Sequence, residues 1–217
     1  MGIIERILGP RVPAGQSPGS LAEYRKPAWL FAAAALLLVI SIFLPYWRLN
    51  LKAPQYPDGL VVDVYVNQIA GDVAELESLN HYVGLPGFDE GAQAEREIAV
   101  AGILAMAGLL AAGLFINSRW VLVFTLPALL FPLVFLGDLQ YWLWRYGHDL
   151  DPAAPFSAAV GNFTPPVLGP ARIAQFETLA LPHAGLMMAF VASGLIAYGL
   201  WSHRKVYKPL IESLVNA

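Results

Sequence analysis

The chain has 217 residues, of which 57 % are hydrophobic and only 13 % are charged, and its formal net charge is −3. A soluble domain usually carries about 25 % charged residues, so the deficit points to a bilayer as solvent. The composition excludes a basic nucleic-acid-binding surface. The absence of cysteine excludes disulfides, thiolate metal sites and a cysteine nucleophile.

Residues 1–27 form a polar N-terminal segment. The first apolar run, 28–47, reads as a retained membrane helix: it has full span length, and "LPYWRL" offers no cleavage pattern for a signal peptide. Residues 48–97 make a long polar loop. Within it "GLVVDVYVNQIAG" alternates, with Leu60, Val62, Val64 and Val66 on one face and Asp63, Tyr65 and Asn67 on the other, as a half-buried strand does. "DVAELESLNHYVG" reads as a short helix, with Asp72 as N-cap, Val73, Leu76 and Val83 as its apolar stripe, and Gly84 as its stop. Glu77 and His81 stand at i and i+4 on that helix and can meet on one face.

Residues 98–116 and 120–144 are the second and third spans. The second is rich in small residues (Ala101, Ala105, Gly108, Ala112), and the third carries Pro127 and Pro132, each of which removes a backbone donor and favours a kink. Asp138 lies near the end of the third span, with Gln140, Tyr141 and Arg145 close in sequence. An intramembrane carboxylate is either paired or solvated for structural reasons, or part of a proton or ion path. Residues 145–181 form a second long loop, proline-rich and weakly periodic. It is too apolar for disorder, with Phe156, Phe163, Ile173 and Phe176 among its residues, and reads as an irregular cover. The fourth span is 182–201, followed by a tail, 202–217. Gly185, Ala189, Ser193 and Ala197 repeat every four residues along it, a smooth ridge suited to packing within the chain or to an oligomer seam.

Charge gives the expected orientation. The two termini and the short turn after the second span carry a net of +5, and the other side, the two long loops together with Asp138 near the end of the third span, carries −8. The positive-inside rule therefore puts both termini in the cytoplasm and both long loops outside. Trp29, Trp120 and Trp201 at one set of helix ends, and Trp47, Trp142 and Trp144 at the other, fit the two aromatic belts. The expected fold is an all-α membrane protein of four spans, N-in and C-in, with a small α+β extracytoplasmic cap built from the two loops.

Three of the four histidines, His81, His148 and His183, fall on the loop side, and Met187 follows His183 by one helical turn. Histidine with a thioether suits copper, Cu(I) above all, without any cysteine. Asp149, Asp151 and Asp89 are candidates to hold ring N–H groups from behind. The alternative is a set of interfacial histidines and buried methionines with no metal. No histidine lies in the middle of a span, which argues against a transmembrane haem. No nucleophile–base–orienter trio and no phosphate-binding glycine loop is present, so the sequence does not read as an enzyme.

"LNHYVG" in the first loop, and "YGHDLDPAAPF" and "FTPPVLGPARIAQFET" in the second, resemble segments of small multi-pass bacterial membrane proteins encoded beside nitrous oxide reductase and other copper-enzyme genes. Leu85 stands where similar segments carry a methionine. The resemblance implies a bacterial inner-membrane accessory protein that assists maturation of, or electron delivery to, a periplasmic copper or respiratory enzyme. A structural anchor subunit of a respiratory complex and, less well supported, a small transporter using Asp138 are the alternatives. Either way the partners are lipid and a membrane or periplasmic protein, with the fourth-span ridge as an oligomer seam.

Overall fold

The computed structural model describes residues 3–10, 12, 17–88, 91–155, 157 and 161–215. Its elements run in chain order as α1 (Ile3–Leu8), α2 (Pro18–Ser41), β1 (Trp47–Ala53), β2 (Tyr56–Val64), β3 (Ile69–Gly71), α3 (Val73–Val83), α4 (Gln93–Gly113), α5 (Val121–His148), β4 (Gly169–Ile173), β5 (Phe176–Pro182) and α6 (Ala184–Val215). Four of these helices, α2, α4, α5 and α6, are long and apolar enough to cross a membrane. They are accompanied by one small antiparallel sheet. The chain divides into two compact units, residues 1–40, 101–132 and 188–217 in one, and 41–100 and 133–187 in the other.

The first unit is helical. Ser17 opens α2: its carbonyl accepts the Leu21 N–H at 3.0 Å, its hydroxyl oxygen lies 3.4 Å from the Ser20 N–H, and Pro18 sits in the first turn. This is the usual cap-then-proline start. The helix therefore begins ten residues before the apolar run and ends at Ser41, not at Trp47. Pro45 disfavours helix at the residue before it. Small residues let the backbones approach: a methyl on Gly199 would come within 2.6 Å of the Phe31 ring. Phe31, Ala34, Leu38, Ile103, Leu110, Ala128, Ala189, Ala192 and Ile196 are buried. α5 continues through Pro127 and Pro132 as one helix. Pro132 has no N–H to offer the Ala128 carbonyl. The Ser193 hydroxyl lies 3.5 Å from that carbonyl and donates to Leu129 O at 3.0 Å. A neighbouring helix thus compensates the backbone, as apolar surroundings demand.

The N-terminal segment is stitched to the turn between α4 and α5. Ser118 donates to Ile7 O at 2.5 Å, the Asn117 N–H to Leu8 O at 2.7 Å, and the Asn117 amide to Pro10 O at 2.9 Å. Gly9 takes φ +78° there, which glycine adopts freely, and a side chain on it would also collide with the Asn117 backbone. His203, placed in a tail by the sequence, is inside α6 and buried, with Nε2 3.0 Å from Ile116 O at the end of the α4 segment.

The second unit is built on the sheet, whose order is β3-β2-β1-β5-β4. The first loop supplies β1, β2 and β3. The second supplies β4 and β5, a hairpin in place of part of the expected irregular cover, while its described residues between α5 and β4 are irregular apart from Ser157. Phe156 lies outside the described residues. β1 pairs on one side with β2 (Leu49 opposite Val62, Leu51 opposite Leu60) and on the other with β5 (Leu49 opposite Ala180, Leu51 opposite Thr178). The two loops are thereby one structure. The α3 residues Leu76, Leu79 and Val83 pack with Ala53, Leu60, Val62 and Phe176 on one face of the sheet. Trp47 opens β1 and does not close the first span. It is buried, and its indole N–H donates to Val167 O at 2.5 Å, so it is a packing residue of the sheet and not part of an interfacial belt. Trp29, Trp120, Trp144 and Trp201 are exposed, and Trp142 is half-buried.

Candidate functional site

The stretch Ser78–Gly87 belongs to the second unit and meets the second loop and α5 through its backbone. α3 ends at Gly84, which takes φ +85° while its N–H donates to Asn80 O at 2.7 Å. The Leu85 N–H reaches the same carbonyl at 3.1 Å, as in a left-handed C-cap. The Asn80 side chain is buried with its Nδ2 unpaired, a polar cost carried inside this cap. The Asp151 N–H donates to Gly84 O at 2.8 Å, and a methyl on Gly84 would collide with Ala154. The Tyr146 hydroxyl donates to Gly87 O at 2.8 Å, and the Phe163 N–H to Gly147 O at 3.0 Å. Gln140 clamps the second loop to α5, donating to Pro165 O at 3.0 Å and accepting from the Val167 N–H at 2.8 Å. The first loop thus folds onto the end of α5 through backbone groups that no residue pattern announces.

Two acids of this region accept backbone N–H groups, and the expected meeting of Glu77 with His81 lies outside the described residues. Asp72 makes no side-chain cap to α3. Its carboxylate accepts the Val61 N–H of β2 at 2.8 Å, because the tight β3–α3 connection turns it toward the strand. Glu77 accepts the Phe88 N–H at 3.4 Å and so braces the segment after Gly84.

The histidines differ in what their rings can do. His148 is exposed at the end of α5, stacked on Trp144, with Nδ1 2.8 Å from Trp144 O. A carbonyl can only accept, so Nδ1 carries a proton and in the neutral ring Nε2 keeps its lone pair. That is the arrangement found in metal-ligating histidines. His183 is the reverse. Its Nδ1 accepts the Ala184 N–H at 2.8 Å and caps α6, so in the neutral ring the proton is on Nε2. Metal binding at either nitrogen of His183 would cost that cap. Its own N–H donates to Tyr46 O at 2.9 Å. Met187, on α6, is 51 % exposed. The side chain of His81 and all of Asp89 lie outside the described residues. Among the described residues no group of three or more His, Asp and Glu side chains is placed to hold one ion.

Arg145 lies 3.8 Å from Asp149 and over the Trp142 ring, not against Asp138. Asp138 itself is half-buried on α5. A second, tighter ion pair was not singled out from the sequence: Arg48 and Asp63 stand directly opposite on β1 and β2 and make two hydrogen bonds of 2.7 Å. The guanidinium holds the Asp63 carboxyl below the usual carboxylate range, aided by the nearby His183. The alternation of β2 put Asp63 on the polar face, but its partner could be found only once β1 was known to be a strand.

That polar face of the sheet is open. Beside the Arg48–Asp63 pair it presents Val61, Leu179 and Leu181, all exposed, with Lys52, Arg172 and Glu177 toward its rim. An apolar patch bordered by charges is the usual anatomy of a protein contact.

No family model matches the chain, and no characterised protein or solved structure is similar enough to be matched.

Proposed function

We propose that the chain is an accessory protein of the bacterial inner membrane that holds a partner protein through its sheet. In this proposal both termini are cytoplasmic and the sheet with α3 is periplasmic, as the charge balance of the loops favours. The observation that carries it is the uncovered sheet face, where Val61, Leu179 and Leu181 are exposed beside a bidentate ion pair, while the other face is filled by α3. The loop motifs favour a copper or other respiratory enzyme as the partner, assisted in maturation or electron delivery or simply anchored. The test is co-purification after mild detergent extraction, with wild type beside Val61→Asp and Leu179→Asp. Both sites are exposed, so the variants should fold and lose the partner. Retention of the partner by both variants would overturn the proposal.

One observation favours copper as part of that role: the free Nε2 of His148. The reading predicts copper in purified wild type and less in a His81→Ala/His148→Ala double variant. Metal-free wild type whose thermal stability is unchanged by Cu(I) would remove it and leave the anchor.

A further inference from the structure

We propose that the helical unit carries a seat for an anionic phospholipid, between α2 and α6. On α2, Ala22, Lys26, Trp29 and Leu30 share one face, being spaced by four, seven and eight residues. With Glu23 they line a shallow groove of about 440 Å³. On α6, Tyr198, Trp201 and Lys205 share a face by the same rule. The two faces are joined at one point: Lys26 Nζ donates to the Tyr198 hydroxyl at 2.6 Å and lies 4.7 Å from the centre of its ring. Tyr198 stacks on Trp201 at 5.7 Å, and Lys205 lies 5.4 Å from the Trp201 ring centre.

This chain of contacts leaves donors to spare. An ammonium has three N–H groups and one is used, so Lys26 keeps two. Tyr198 accepts from Lys26 and retains its own O–H. Lys205 contributes a second cation, which lies over an aromatic face and, among the described residues, is paired with no acid. Glu23 offsets one charge at the groove, and Lys205 tips the balance positive. Trp29 is 74 % exposed and Trp201 57 %. In a helix pair long and apolar enough to cross a bilayer, such rings belong at headgroup depth. A headgroup then fits the groove beside Lys26, with its phosphate on the donors, and its acyl chains leave past Trp29 and Leu30 toward the apolar part of α2. A generic aromatic belt would take any headgroup. This arrangement should prefer the anionic one.

The test uses the full chain in nanodiscs that contain acyl-brominated phosphatidylglycerol or acyl-brominated phosphatidylcholine at equal mole fraction. Wild type should show stronger tryptophan quenching by the anionic lipid. Each basic residue near an anionic surface carries roughly a fivefold preference, so Lys26→Gln/Lys205→Gln should lower the selectivity by roughly 25-fold. Lys26→Arg/Lys205→Arg should keep it. The substituted side chains are exposed, and native mass spectrometry of retained lipid provides a readout independent of fluorescence. Equal quenching by both lipids in wild type, or unchanged selectivity in the Gln variant, would overturn the seat. Displacement of the lipid by inorganic phosphate alone would do so too, in favour of a free-phosphate site.

Discussion

The two units of this protein solve the same problem, satisfying every buried backbone group, by opposite means. In the helical unit the bonds that build the four long helices are local and those neighbours need only come close, with the stitch of Asn117 and Ser118 to the N-terminal segment as a long-range addition. Gly199 and Ala192 make room, and Ser193 adds a hydroxyl where Pro132 has removed a donor. In the sheet unit the bonds join residues more than a hundred positions apart, since β1 must find β5. The helical unit tolerates much variation that preserves small size and apolarity. The sheet unit depends on register, because a slip of one residue would expose Leu49, Leu51 and Ala53 and bury Arg48, Asn50 and Lys52.

The largest test of this contrast is Phe176→Ala. It empties the cluster of Ala53, Val83 and Phe176, and large-to-small aromatic changes in a core cost about 3–5 kcal/mol. Hydrogen exchange should show β1, β5 and α3 losing protection while the amides of α2 and α4 keep theirs. Equal loss throughout would mean that the units do not open separately. Gly147→Ala comes next. Its new methyl would strike the Phe163 backbone, which cannot swing aside as a side chain can, and overpacking of this kind costs about 1–3 kcal/mol. Denaturation in detergent micelles measures it, and Gly194→Ala, whose methyl meets nothing within 4 Å, is the control.

The Arg48–Asp63 pair should show a smaller effect. Arg48 is 37 % exposed at its side chain and Asp63 18 %, so solvent screening limits the pair to about 1 kcal/mol despite its good geometry. The folded carboxyl titrates lower than the unfolded one. The contribution is therefore fully present above the unfolded value of about 4 and is lost as pH falls through the folded value. Stability of wild type should drop relative to Asp63→Asn below that point, and parallel pH profiles would show the pair to be inert. Smallest of all is Ser193→Ala in the helical unit. Hydrogen bonds between membrane helices average about 0.6 kcal/mol, so a shift larger than roughly 2 kcal/mol would mean that Pro132 depends on Ser193 far more than its neighbours suggest.

Legibility differed between the units for the same reason. Three of the spans begin close to where the apolar runs begin, because apolarity is what a span needs. The first was displaced: its opening turns are polar and declared by Ser17 and Pro18, and its end by Pro45. α3 was legible from its stripe and from Gly84. β2 was legible from its alternation, although that reading ran on as one strand where the chain turns after Val64 and returns as β3; β1, β4 and β5 were not legible, since Trp47 reads as an extension of the apolar run and "GPARIAQFETLAL" as a proline-bearing loop. Among the candidate site residues, the pattern placed His148 and His183 at helix ends correctly. It could not distinguish a ring that leaves Nε2 free from one spent on capping α6, because that depends on which backbone group each nitrogen meets.

Four apolar helices, a cysteine-free chemistry and a polar head made from two loops follow from the sequence by itself, because hydropathy and composition act residue by residue. Only the tertiary structure decided that the two loops share one sheet, that Arg48 belongs to Asp63, and that Lys26 meets Tyr198. Each of these joins positions far apart in the chain, and no local pattern records which distant strand or helix will supply the missing partner.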